Sequence, residues 1–240
     1  MNENFSGIII GTGFLAKNFT KYKEFFKELN ICVYAAGVSN SLCKNKKLFE
    51  KDKKRLYDFS NDINKNKVLL YFSTCALNDP SRNQNPYIKN KLEIENFIKK
   101  NFAKYLIIRL PEIVGKSNNG NTLINFFFKR IREKKVFDLW VNARRSVIDI
   151  DDVTKILIDL LSNKKHGNKT INIANPKKYS IDYIVSIIED LTVLKAEYNL
   201  VNKGETNWEI DISQIVNSIK NCKIEFNKNY LKNVLKKYFM

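Results

Sequence analysis

A chain of 240 residues is long enough for one α/β domain with a small appendage, or for two small domains. Its hydrophobic content of 44% supports a sizeable core, and it lacks the run of about 18 apolar residues that would predict a membrane span. The formal net charge of +17 raises the question of a polyanionic partner. The basic residues are spread along the chain, however, with no helix-turn-helix, zinc-finger or aromatic–basic repeat, so nucleic acid is not expected as a partner. Cys32, Cys43, Cys75 and Cys222 lack C-x-x-C spacing, which predicts reduced thiols rather than a zinc site or a disulfide frame. Met1–Ser6 shows no signal-peptide pattern, and a cytoplasmic location is expected.

The apolar run Gly7–Ile10 predicts a strand, and Gly11-Thr-Gly13-Phe-Leu-Ala16 follows at once. A helix is predicted over Asn18–Leu29, so G-x-G-x-x-A sits between strand and helix, the context of a dinucleotide fingerprint. Gly11 permits the tight turn, Gly13 a close approach of pyrophosphate, and Ala16 close helix–strand packing. Ile31–Ala36 predicts a second strand, ending in the small-residue loop Gly37–Ser41. Residues 44–66 predict a basic outer helix with Leu48, Leu56, Phe59 and Ile63 on its apolar face.

Val68–Phe72 predicts the third strand and ends in Ser73, Thr74 and Cys75. Asn85 as N-cap and Pro86 at the first position predict a helix over Tyr87–Lys99. Tyr87 and Lys91 then share one face, one turn apart. A phenol normally titrates near pH 10, too high for acid–base work at neutral pH, and a neighbouring ammonium favours the phenolate. With Thr74 or Ser73 on the same substrate oxygen, this set passes a proton to or from a carbinol or carbonyl. In a Lys-rich chain Y-x-x-x-K arises often by chance, so its weight depends on what surrounds it.

Tyr105–Leu110 predicts the fourth strand, closed by Pro111. Strands alternating with helix-length connections predict right-handed crossovers and a parallel sheet. Beyond Pro111 a helix is predicted over Thr122–Lys134, strands over Val136–Val141 and Thr170–Ala174, and a helix running on from Asp152 to Leu161. Ser180 caps a further helix, and residues 199–240 are polar with a short helix near Tyr230–Tyr238. Asp149, Asp151 and Asp152 are grouped like metal ligands, but Val147, Ile148 and Ile150 mark a strand end and helix start, so no metal is expected. Phe126–Phe128 suit a core or a subunit contact, and His166 suits a solvated turn.

Taken in order, Gly11-x-Gly13-x-x-Ala16, Tyr34-Ala-Ala-Gly37, Phe72-Ser-Thr74, Tyr87-x-x-x-Lys91, Arg109-Leu-Pro-Glu-Ile-Val-Gly115 and Arg145-x-x-Ile148-Asp-x-Asp-Asp152 resemble the extended short-chain dehydrogenase/reductase family. That family holds the sugar-nucleotide epimerases, dehydratases and ketoreductases. The resemblance spans roughly residues 7–175. It implies an α/β fold: a Rossmann-type parallel sheet with helices on both faces, lacking some strands of the usual dinucleotide domain, plus a small C-terminal substrate-binding region. It implies NAD or NADP as cofactor, held by Gly11, Gly13, Phe14, Leu15, Ala36, Gly37 and Pro111 together with Tyr87 and Lys91. Tyr87 would be the acid/base, Lys91 its ribose-binding partner, and Thr74 or Ser73 the hydroxyl on the substrate oxygen. Cys75, Asn119, Asn121, Thr122 and Arg145 would touch a nucleotide-activated sugar, Arg145 at its diphosphate.

Two departures shape the expectation. Dehydratases of the family place an Asp-Glu pair after the strand-end Thr, where this chain has Cys75 and Ala76, which argues against 4,6-dehydration. Relatives also carry a further helix and two strands where Leu29-Asn30 here leads straight into the next strand. The missing segment normally reads the adenosine ribose, so Ser39, Asn40 and the Lys44–Lys47 cluster are the candidates for that end. The expected organisation is a nucleotide-binding domain over 1–178, with a substrate-side excursion at 117–146, and a substrate region over 179–240. The expected activity is a 4-ketoreductase or epimerase of surface polysaccharide biosynthesis, with a homodimer as the assembly to test. The alternative is a non-catalytic nucleotide-binding or scaffold protein on a truncated Rossmann fold.

Overall fold

The computed structural model describes residues 8–117, 119–120, 122–163, 167–205 and 208–240. Of the residues singled out above, Met1–Ser6, Gly7, Asn121 and His166 lie outside that set. The chain divides into two compact units: one through Leu77, with Arg82–Leu110 and Leu160–Asn172, and one of Asn78–Ser81, Pro111–Asp159 and Ile173–Met240.

The first unit is built on strands β1 (Ile9–Ile10), β2 (Ile31–Tyr34), β3 (Val68–Thr74), β4 (Tyr105–Leu110) and, numbered in chain order, β8 (Lys169–Asn172). They pair in the order β1-β2-β3-β4-β8, all parallel. Between them run α1 (Phe14–Phe19), α2 (Lys23–Glu28), α3 (Lys46–Asp62) and α4 (Pro86–Asn101). The apolar strands are buried on both faces, as a parallel sheet between helix layers requires. In one row, Tyr34, Tyr71 and Ile107 face Leu56 and Phe59 of α3 and Ile94 and Ile98 of α4. Phe72 points the other way and stacks on Phe19 of α1, ring centroids 5.1 Å apart.

The expectation of uniformly right-handed crossovers fails at one place. The steps β1 to β2, β2 to β3 and β3 to β4 all move in one direction across the sheet, yet α1 lies on the opposite face from α3 and α4. The α1–α2 connection therefore has the opposite hand. The short link Leu29-Asn30 leads from α2 directly into β2. β1 consequently sits at the sheet edge, with no strand beyond it among the described residues.

Other local readings are corrected too. The single helix expected over Asn18–Leu29 instead begins directly after Gly13 and is divided by a 3-10 turn at Thr20–Tyr22. On α3, Leu48 is 47% exposed, while Phe49, Asp52, Leu56 and Phe59 form the buried stripe. β3 continues to Thr74, so Ser73 is a strand residue. Asn85 caps α4 as expected, its side-chain oxygen accepting from the Tyr87 and Ile88 backbone N–H groups at 2.8 and 3.4 Å.

The second unit contains β5 (Glu112–Val114), α5 (Leu123–Arg132), β6 (Phe137–Trp140), β7 (Arg144–Asp149), α6 (Ile150–Ser162), β9 (Lys178–Ser180), α7 (Ile181–Thr192), β10 (Tyr198–Val201), α8 (Val216–Asn221) and α9 (Tyr230–Phe239). β5 and β9 flank β7, antiparallel on the β9 side, and β10 pairs in parallel with β6. Neither β9 nor β10 is legible in the sequence: β9 is three residues long, and β10 is mostly exposed and lacks a buried alternation. The core gathers Ile124, Phe127, Ile184, Ile188, Leu231 and Leu235 from α5, α7 and α9. Phe128 joins it and stacks on Phe239 at 3.9 Å.

The metal-like carboxylates have protein partners instead. Asp149 accepts from Tyr238 Oη at 2.7 Å and Lys237 Nζ at 2.8 Å, Asp151 accepts from Lys237 at 2.7 Å, and Asp152 accepts from Tyr230 Oη at 2.7 Å. The start of α6 is thus clamped to α9.

Candidate active site

The first unit carries Tyr87 and Lys91 on α4 and Ser73 and Thr74 at the end of β3. Pro at the first turn and the Asn85 cap fix where α4 begins, and that fixes which face Tyr87, Asn90 and Lys91 share. All three are buried, and the face packs toward β3 and α3. Lys91 Nζ lies 5.8 Å from the centroid of the Tyr87 ring and 5.0 Å from that of Tyr71. It donates to Tyr71 Oη at 2.9 Å and to the Phe72 carbonyl at 3.4 Å.

Burial pulls the Lys91 ammonium below the ordinary lysine range, and the negative charges of Asp52 and then Glu95 oppose that pull. Tyr71 is driven well above the ordinary phenol value, chiefly by burial, with Asp52, Tyr87 and Glu95 adding to it. Tyr71 therefore stays a neutral hydroxyl, an acceptor for Lys91 rather than an acid. Glu95 has no exposure; Arg109 of β4 grips it from Nε and Nη2 at 2.9 and 2.7 Å.

The two strand-tip hydroxyls differ. Thr74 Oγ1 accepts from the Ala76 N–H at 3.1 Å, which leaves its hydrogen available to donate. Ser73 shares the face of Tyr71 by strand alternation, and its buried Oγ has no hydrogen-bond partner. Cys75 is a buried thiol with Sγ 4.0 Å from Asn172 Oδ1, and burial lifts it far above the ordinary thiol value.

The glycine turn suits a dinucleotide phosphate. Gly11 has φ +122°, and a Cβ there would stand 2.6 Å from the Ala35 carbonyl oxygen. Gly13 has nothing within 4 Å of its missing Cβ, so the turn is open on the side where a pyrophosphate would approach. Phe14 and Leu15 open α1, Ala36 follows β2, and Gly37 (φ +123°) would push a Cβ to 2.8 Å from the Asp52 carboxylate. The groove residues therefore fit NAD or NADP, although the adenosine side ends at the edge strand β1.

Pro111, Asn119, Thr122 and Arg145 belong to the second unit. Thr122 Oγ1 donates to the Asn119 carbonyl at 3.3 Å, ahead of α5. Arg145 on β7 holds Nη1 4.0 Å from Oδ2 of the buried Asp79. Sequence reasoning missed Tyr71 and Asp52. Tyr71 is two residues before Ser73 on the same strand face, and Asp52 lies on a stripe of Phe49, Leu56 and Phe59, a core position in which a carboxylate is itself a signal.

Residues 62–174 match the sequence profile of the NAD dependent epimerase/dehydratase family. The matched span includes Tyr87, Lys91, Ser73, Thr74 and Arg145. The first unit has a Rossmann-like α/β fold, a parallel sheet between helices with β1 at its edge, shared with the solved structures below. No curated protein matches it by sequence. Among solved structures, the UDP-glucuronic acid 4-epimerase from Bacillus cereus, in complex with UDP-glucuronic acid and NAD, superposes at TM-score 0.67 with 19% identity, covering 89% of this chain and 75% of that one. RMD from Pseudomonas aeruginosa, complexed with NADPH, gives 0.68 with 14% identity over 95% and 96%. The dTDP-glucose 4,6-dehydratase from Bacillus anthracis, in complex with NAD, gives 0.67 with 12% identity over 95% and 78%.

Proposed function

We propose that the protein is a NAD(P)-dependent 4-ketoreductase or epimerase acting on a nucleotide-activated sugar in surface polysaccharide biosynthesis. The carrying observation is a buried ammonium, Lys91, one helical turn from the Tyr87 phenol and on the same sheet face as the unpartnered Ser73 hydroxyl. A bare cation is costly to bury, and its charge favours a phenolate beside it. Tyr87 holds or moves the proton at the sugar oxygen, and Thr74 or Ser73 donates a hydrogen bond to that oxygen. Lys91 and the Gly11–Gly13 turn orient the coenzyme. The nicotinamide, when bound, supplies or takes the hydride. Arg145 serves the diphosphate. The proteins of known structure that share the fold include one solved with UDP-glucuronic acid and NAD, which supports this class of substrate.

The test is turnover of a panel of nucleotide 4-keto sugars with NADH and NADPH, followed by absorbance. Tyr87→Phe should abolish turnover while coenzyme binding persists. The edge position of β1 favours a second reading, a nucleotide-binding or scaffold protein. Coenzyme binding without turnover on any substrate of the panel would select it.

A further inference from the structure

Asp52 stands on the buried stripe of α3, 3% exposed, between Phe49 and Leu56. Uncompensated burial of a carboxylate is costly, so its partners define its role. Its Oδ2 accepts from the Val38 N–H at 3.2 Å and from Asn90 Nδ2 at 3.4 Å. Its Oδ1 lies where only a glycine at position 37 leaves room, 2.8 Å from the missing Cβ. One carboxylate thus ties three pieces of the first unit: its own helix, the small-residue loop after β2, and α4 at the residue between Tyr87 and Lys91. Asn90 is held only at its amide nitrogen, and its buried Oδ1 has no partner.

We propose that Asp52 is a positioning residue for Lys91: its carboxylate fixes the register of α4 against the coenzyme-side loop and supplies the counter-charge that keeps the buried Lys91 ammonium protonated. The inference rests on the proposed acid–base role of Tyr87 and Lys91. Around Lys91, α4 itself presents Tyr87 and Glu95, β3 presents Tyr71, and α3 presents Asp52. Tyr71 remains neutral, and Glu95 is already gripped by Arg109 and flanked by Lys99 at 3.5 Å. Asp52 is thus the buried carboxylate left to balance Lys91, and it bonds α4 at Asn90, the residue next to that ammonium.

The experiment titrates Lys91 in the coenzyme-free protein by NMR of labelled lysine side chains, with the signal assigned by its loss in Lys91→Arg. In Asp52→Asn, which keeps the size and an acceptor oxygen for Val38, the Lys91 midpoint should move down. Turnover at pH 7 should fall about tenfold, the scale of one lost counter-charge. Asp52→Glu should restore the wild-type midpoint. An unmoved Lys91 midpoint in folded Asp52→Asn overturns the proposal. If Asp52→Asn does not fold, Asp52→Glu decides, and a lowered midpoint there overturns it equally. Absence of turnover in the wild-type protein on every sugar tested counts against the enzymatic reading and leaves the titration result standing, so the two failures are distinguishable.

Discussion

The two glycines of the first turn separate folding from coenzyme binding. Gly13 has φ −77° and ψ −172°, a conformation open to any L residue, and its Cβ site is empty to 4 Å. Alanine there removes backbone freedom from the unfolded chain and should stabilise by about 0.4–1 kcal/mol. At about 2–4 °C per kcal/mol for a chain of this size, Tm should rise by about 1–4 °C. The same methyl group projects where the pyrophosphate approaches. Losing one charge-assisted contact costs about 1.5–3 kcal/mol, so NADH or NADPH affinity should weaken about tenfold to a hundredfold. Gly11→Ala does the reverse. Its φ of +122° and the 2.6 Å approach to the Ala35 backbone oxygen impose strain and a shift of main chain. About 3 kcal/mol is expected, a fall in Tm of about 6–12 °C. Thermal denaturation with titration calorimetry reads both variants. Wild-type coenzyme affinity in Gly13→Ala would refute the dinucleotide reading of this turn.

Lys91→Met leaves the buried Asp52 carboxylate without its counter-charge, so stability at pH 7 should fall by up to about 3–5 kcal/mol while turnover falls by about a hundredfold or more. Because burial lowers the folded-state pKa of Lys91, the unfolded chain holds the extra proton between that lowered value and the ordinary lysine value near 10.4. Wild-type stability should therefore gain from Lys91 as pH rises through that window, a slope absent from Lys91→Met. The alkaline limb of turnover, set by loss of the ammonium, should fall below pH of about 10.4. Glu95→Gln strands the Arg109 guanidinium, which is only partly exposed, and should cost toward the low end of about 3–5 kcal/mol, read by denaturant unfolding. A Lys44/Lys46/Lys47 triple alanine variant should weaken coenzyme binding in low salt; unchanged affinity removes those lysines from the adenosine end.

Local chemistry made much of this protein readable from its residues. The apolar runs at Ile31, Val68 and Tyr105 announce buried parallel strands because both sheet faces are covered, so no polar alternation is needed. Asn85-Pro86 announces where α4 starts because a cap and a fixed φ are properties of adjacent residues, and the i, i+4 pair of Tyr87 and Lys91 follows from that start. Tertiary structure decided what depends on residues far apart in the chain. The opposite hand of the α1–α2 connection is a relation between two faces of a sheet, invisible to any window of sequence. The exposure of Leu48 and burial of Asp52 turn on how α3 is rotated about its axis, which a mixed Leu–Phe–Lys pattern leaves open. Only the packing of α3 and α4 on the sheet sets Tyr71 and Asp52 around Lys91, because the free energy of a buried charge is determined by whatever surrounds it in space.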